Sequence, residues 1–154
     1  VPAAFRHLFV GQQAVLQSHR GWDPGTLQLG RRLSRHFSLP LPVTGVSRLL
    51  IEVNRSLHHP RLFSEYSQGL SPDCKQKLVE RYYWPYRRQV TEMIEDGLKR
   101  GTWVWHVSLH SFTGDWNGAP RTADIGLLYD PARESERDLC RVWQAELAAC
   151  LPQL

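Results

Sequence analysis

The chain has 154 residues, 42% of them hydrophobic and 22% charged, a size and balance that fit one soluble domain, residues 1–154, built around a single core. No apolar run approaches the roughly 20 residues needed to cross a bilayer, which excludes a membrane protein. The start at Val1 lacks the basic segment and apolar stretch of a secretory signal, so the chain is expected to have been processed or to begin inside its gene.

The net charge is +4 and the pI near 9.2, and the basic residues are nearly all arginine, the lysines being Lys75, Lys77 and Lys99. An anionic partner is one reading of this excess; an arginine-favouring genome is another. Guanidinium forks suit a small carboxylate. Nucleic acid is the weaker alternative, because Arg31, Arg32 and Arg35 share one helical segment, as do Arg87 and Arg88. No aromatic-rich RNA-binding signature or Cys/His finger accompanies them. Cys74, Cys140 and Cys150 are odd in number and lack metal or redox spacing, which fits a reducing cytoplasm; Cys140 and Cys150 read as small packed hydrophobes.

In chain order, Asp23-Pro24-Gly25 reads as a helix start, with Asp23 capping free N–H groups and Pro24 at the first helical position. The helix runs to about Phe37, and Leu29, Leu33 and Phe37 would lie on one buried stripe. Leu39 to Val43, with two prolines, suits an edge strand or extended connection. Leu49 to Val53 reads as a short buried strand presenting Asn54-Arg55 at its end. Ser71-Pro72 starts another helix, which Pro85 separates from a following one that Gly101 terminates. Thr102 to Leu109 is the strongest strand candidate and delivers His110. A polar loop from Ser111 to Thr122 follows, then a strand from Ala123 to Tyr129. Asp130-Pro131 then opens a helix with Leu139, Trp143 and Leu147 on one side. This order points to an α/β layer architecture with a mixed sheet, cut at both ends.

In open α/β sheets ligands gather beyond the C-terminal ends of strands, where His110 and Asn54-Arg55 are expected. His110 could bind zinc, act as a general base, or simply hydrogen-bond at a strand end. His106 lies on the same face of that strand but about 13 Å away at a rise of roughly 3.3 Å per residue, too far to share a metal, and reads as structural. Arg48 and Arg55 offer two forks and Asn54 an amide, which could clamp a substrate carboxylate or could be ordinary surface groups. His58-His59 reads as solvated.

Several long strings resemble the N-formylglutamate amidohydrolase family in the same order. They are His19-Arg20-Gly21-Trp22-Asp23-Pro24-Gly25, Arg48 through Ser56, Tyr82-Tyr83-Trp84-Pro85-Tyr86-Arg87, His110-Ser111-Phe112-Thr113 and Arg121 through Pro131. The resemblance implies a zinc carboxypeptidase-like, phosphorylase/hydrolase-like three-layer αβα fold. It implies His110 as one zinc ligand, Asn54 and Arg55 as holders of the substrate carboxylate, and Glu52 as the group that orients a metal-bound histidine. Arg48 is expected to help the clamp or polarise the scissile carbonyl. The Asp-x-Asn-Arg string of such enzymes reads Glu52-Val53-Asn54-Arg55 here, a departure that keeps the charge at position 52 but adds a methylene. The first two ligands, in a Cys-Glu-His-Gly-Gly string, are expected upstream of Val1, and the general-base Glu beyond Leu154. A single histidine cannot hold catalytic zinc, so residues 1–154 alone are expected to be inactive, and hydrolysis of an N-formyl or N-acyl acidic amino acid is expected of the intact protein. The alternative is a non-catalytic carboxylate- or peptide-binding module that has lost the metal site.

Overall fold

Helices begin close to where the sequence places capping residues, whereas the long strands it suggests do not form. The computed structural model describes residues 1–116 and 118–152. They divide into two units, Val1–Phe112 and Thr113–Leu154. In the first, a 3-10 turn over Ala3–Phe9 precedes α1 (Gln13–Leu16), α2 (Thr26–Phe37), α3 (Pro72–Leu78) and α4 (Trp84–Lys99).

Ser71 caps α3 by accepting the Cys74 N–H on its hydroxyl, and Pro72 occupies the first turn, where no N–H is needed. Pro85 does not separate two helices. A π-helical turn, Val79–Tyr83, carries α3 into α4, and Pro85 falls in the first turn of α4, where a missing donor costs little. Gly101, with φ +70°, ends the run beyond α4.

α2 begins at Thr26 with Gly25 at its N-cap, φ +82°, so Asp23 is not the cap. Its stripe is not buried either: Leu29 and Phe37 are exposed, and the close packing falls instead on Gly30, which is buried. A Cβ there would lie 3.1 Å from a Leu41 methyl and 3.4 Å from one of Leu109, so glycine lets both leucines press against the helix.

The core lies under the turns rather than on α2. Phe9, Leu49, Leu50, Ile51, Val53, Leu62, Leu78, Val79 and Tyr83 form one buried cluster. Residues 49–53 are buried as expected, but in turns. The Ser47 carbonyl accepts the N–H groups of Leu50 and Ile51, and its hydroxyl accepts that of Leu49, so the backbone closes on itself where a strand would need a neighbour. The buried Ser67 hydroxyl is satisfied by the Leu49 carbonyl and the Ser64 N–H.

Residues 102–109 take no regular secondary structure, and no backbone hydrogen bond joins 103–109 to another segment among the described residues. They are not a buried strand: Trp103 is 86% exposed and Trp105 and Val107 are exposed with it. A strand is stabilised by its neighbours' backbone and side chains, and here none is paired.

In the second unit, β1 (Asp115–Trp116) pairs antiparallel with β2 (Ala119–Pro120), Asp115 opposite Pro120, and α5 (Glu134–Cys150) follows. The expected loop 111–122 includes Asn117, outside the described residues. Residues 123–129 form bends and extended chain rather than a strand. Asp130 receives the Ala132 N–H in a turn before α5, which starts three residues beyond Pro131. Leu139, Trp143 and Leu147 are half-buried on one side of α5, as its spacing predicts, while Cys150 is exposed and not packed.

Among the described residues β1–β2 is the only sheet, so what they form is helix-rich, and the expected αβα layering with a mixed sheet is not seen in them. No described helix is long and apolar enough to cross a membrane. Because Leu50 is fully buried in the turn core, Leu50→Ala is expected to lower unfolding stability by about 2–5 kcal/mol in urea titrations. A loss below about 1 kcal/mol would show that these turns are not the core.

Candidate functional site

Three segments distant in sequence meet at His110, each held by its own local structure. The first reaches Asp23. After α1 the chain turns so tightly that a Cβ on Gly21 would fall 2.1 Å from the Leu16 carbonyl oxygen. Gly21 is therefore required by close backbone approach. Ser18 accepts the Gly21 and Trp22 N–H groups, and the Ser47 hydroxyl donates to the Gly21 carbonyl at 2.9 Å. The second segment is the turn 52–55. Ile51 and Val53 anchor it in the core, the Glu52 N–H donates to the Leu62 carbonyl, and the buried Tyr83 hydroxyl donates to the Arg55 carbonyl at 2.9 Å. The third is the end of segment 102–110, where Leu109 packs near Gly30 and presents His110.

The side chains then contact one another. Asp23 Oδ2 lies 2.9 Å from His110 Nδ1, and Asn54 Nδ2 lies 3.2 Å from His110 Nε2. Arg48 donates from Nη1 to Asp23 Oδ1 at 3.0 Å and from Nε to Glu52 Oε2 at 2.7 Å. Glu52 Oε1 accepts the Asn54 backbone N–H at 3.2 Å. An ionised carboxylate only accepts, so Nδ1 of His110 carries the hydrogen; in the neutral ring Nε2 then accepts from the Asn54 amide.

Burial would raise the Asp23 pKa, but the hydrogen bond from His110 and the charges of Arg48, His110 and His19 outweigh it and hold the carboxyl below its ordinary 3.8. The hydrogen bond to Asp23 raises His110 above its ordinary 6.5; burial and Arg48 oppose this, while the charges of Asp23 and Glu52 add to it. Burial, reinforced by Glu52 and opposed by Arg87, keeps the Tyr86 phenol above its ordinary 10.0, so it stays a neutral donor.

These groups line a cavity of about 710 Å³, within the size range of small-molecule sites. Asp23, Arg48, Glu52, Asn54, Tyr86 and His110 supply its polar wall. Much of the remaining lining is apolar, including Leu27, Val43, Met93 and Ile94.

The structure places Asn54 on His110 and links Arg48 and Glu52 to it through Asp23 and the Asn54 backbone. The carboxylate on the His110 ring is Asp23, not Glu52, whose oxygens are taken by Arg48 and the Asn54 backbone. Asp23 was legible only as a capping residue, and a cap and a histidine partner need the same short carboxylate, so spacing could not separate them. Arg48 is not an open fork, since both carboxylates occupy it. Arg55 is exposed and outside the cavity lining. His106 also borders the cavity. His59 accepts the Arg61 N–H on Nδ1, a structural role, while His58 is exposed.

The N-formylglutamate amidohydrolase family model matches residues 1–151. The chain belongs to that family. Similarity extends to the crystal structure of a gene product from Agrobacterium tumefaciens, at 27% identity and a TM-score of 0.77, covering 95% of this chain and 60% of that one. This chain therefore spans less than two thirds of that protein's length. No protein of curated function matches significantly.

The zinc of the resemblance can be tested against the donor set. No group of three or more His, Cys, Asp or Glu side chains among the described residues is placed to hold a metal ion, and both nitrogens of His110 are hydrogen-bonded. A catalytic zinc needs three protein ligands and an open position, so the described residues do not fit one by themselves.

The shifts fix a pH window. His110, with its raised pKa, contributes stability that is complete below 6.5 and lost as pH rises through its folded value; Asp23, with its lowered pKa, contributes above 3.8 and loses it as pH falls through its own. Asp23→Asn is therefore expected to depress the melting temperature most between pH 3.8 and 6.5, with the deficit narrowing at higher pH. It should also bring the His110 NMR titration midpoint down; a midpoint unchanged by the substitution would show that Asp23 does not hold the ring.

Proposed function

We propose that this chain contributes the substrate-binding part of an amidohydrolase that cleaves the amide of an N-formyl or related N-acyl acidic amino acid, of which N-formylglutamate is the leading candidate. The observation that carries the reading is the meeting of His110, Asn54 and the 52–55 turn at one wall of a cavity, in a chain of the N-formylglutamate amidohydrolase family.

In this reading Asn54 and Arg55 face the substrate's polar groups. The Arg55 guanidinium makes no ion pair among the described residues, which leaves its planar fork available to a carboxylate, and Tyr83 fixes the backbone from which it projects. The Asn54 amide sits on Nε2 of His110 and can exchange that contact for the substrate. Nδ1 holds its hydrogen against Asp23, so Nε2 is the ring nitrogen that offers a lone pair. The neutral Tyr86 phenol provides a further donor in the cavity. Zinc is the cofactor proposed for the full gene product, with His110 as the ligand that this chain would contribute; bound there, the metal would supply Lewis acidity toward the amide carbonyl.

The full gene product is expected to hydrolyse N-formylglutamate and to contain zinc by elemental analysis, and absence of both would sink the reading as an enzyme. Binding of the carboxylate ligand without turnover would identify a carboxylate-binding module. Arg55→Ala is expected to raise KM by about 10-fold or more with a smaller effect on kcat, the signature of a contact equally strong in ground and transition states. An unchanged KM would remove Arg55 from the clamp.

A further inference from the structure

We propose that Arg48 is a positioning residue for His110 and does not hold the substrate carboxylate. The contacts close into a ring of five residues. Arg48 binds one oxygen each of Asp23 and Glu52; the other oxygen of Asp23 holds Nδ1 of His110; the other oxygen of Glu52 holds the Asn54 backbone, and the Asn54 amide meets Nε2 of His110. Both ring nitrogens are thus fixed by groups that share one guanidinium. Lysine is a poor substitute, because its three N–H groups radiate from one nitrogen, whereas Nε and Nη1 are separate nitrogens of a rigid planar fork.

Charge argues the same way. With the imidazole neutral, the ring carries one guanidinium against two carboxylates. A substrate carboxylate docking on Arg48 would become the third, beside Asp23 and Glu52, whose side chains are only 16% and 14% exposed. Solvent screens that repulsion poorly at such sites. Arg55, exposed and without an ion-pair partner among the described residues, has no such carboxylate beside it and takes the substrate's instead. Geometry also separates the two arginines. Arg48 bonds Asp23 and Glu52 directly and reaches His110 and Asn54 through them, whereas Arg55 bonds none of these side chains among the described residues.

The inference rests on the hydrolase reading for its kinetic consequences, but its structural part can be tested alone. The experiment takes the full gene product as wild type, Arg48→Lys, Glu52→Gln and Arg55→Ala, with N-formylglutamate as substrate and 15N-imidazole NMR of the metal-free protein as the second readout. The His110 signals are assigned by their loss in His110→Gln. Wild type is expected to show one His110 tautomer with the hydrogen on Nδ1. Arg48→Lys is expected to mix the tautomers and lower kcat by about 10–100-fold while KM changes by less than about 3-fold. Arg55→Ala should do the reverse, raising KM and leaving the His110 pattern intact.

Glu52→Gln keeps the size of the side chain but exchanges one of its two acceptor oxygens for an NH2 that only donates, so it breaks a contact of the ring and serves if Arg48→Lys does not fold; it too should perturb His110 through Asn54. The proposal is overturned if the folded variant, Arg48→Lys or failing it Glu52→Gln, leaves the His110 tautomer as in wild type, or if Arg48→Lys raises KM as Arg55→Ala does. If wild type lacks turnover, the hydrolase reading fails while the tautomer shift still decides the role of Arg48.

Discussion

The site depends on one guanidinium placed between two carboxylates. Asp23 and Glu52 are both largely withdrawn from water, and their side by side ionisation would be costly without a cation between them. Arg48 supplies that cation with a geometry that uses a separate N–H for each. Once the carboxylates are fixed, their second oxygens become directional acceptors, and these orient the imidazole on one side and the Asn54 turn on the other. An exposed ion pair contributes little by itself. A closed ring tied to buried turns constrains several groups together.

The surrounding scaffold explains why the ring is held in register. Gly21 brings the Asp23 segment against the backbone of Leu16, where any side chain would collide. Ile51 and Val53 place Glu52 and Asn54 from within the core, and Tyr83, on the π-helical turn between α3 and α4, secures the Arg55 carbonyl. π-helical turns recur at functional sites, and this one leaves the Tyr83 ring in the core with its hydroxyl turned to the site loop. Family membership and the contact geometry therefore bear on the same residues by separate routes: the match covers the strings that contain them, while the contacts show what they do to one another.

The Ser71 cap and the apolar spacing of α5 were legible in the sequence because they are local. Ser71-Pro72 needs only its own backbone to start α3, and the spacing of Leu139, Trp143 and Leu147 needs only helical periodicity to share a side of α5. Strands are another matter. Residues 102–109 have the composition of a strand, yet no strand pairs with them among the described residues, so their tryptophans stand exposed. Residues 49–53 have equally apolar content and are buried, but Ser47 closes their backbone into turns. Apolar content foretold burial in one case and not in the other, because burial depends on what packs alongside.

By itself the sequence determined the family, through long strings in register, and it singled out His110, Asn54, Arg48, Glu52 and Arg55 as the residues with chemistry to offer. Only the tertiary structure decided which of them touch. Asp23 and His110 are 87 residues apart, and no local pattern could show that a carboxylate beside a helix start turns away from the helix to hold an imidazole. Nor could spacing show that Arg48 is occupied, since a guanidinium four residues from Glu52 is ordinary until a second carboxylate arrives from position 23. Residue type sets which hydrogen bonds a side chain can make; the fold, by bringing distant partners within about 3 Å, sets which ones it does make.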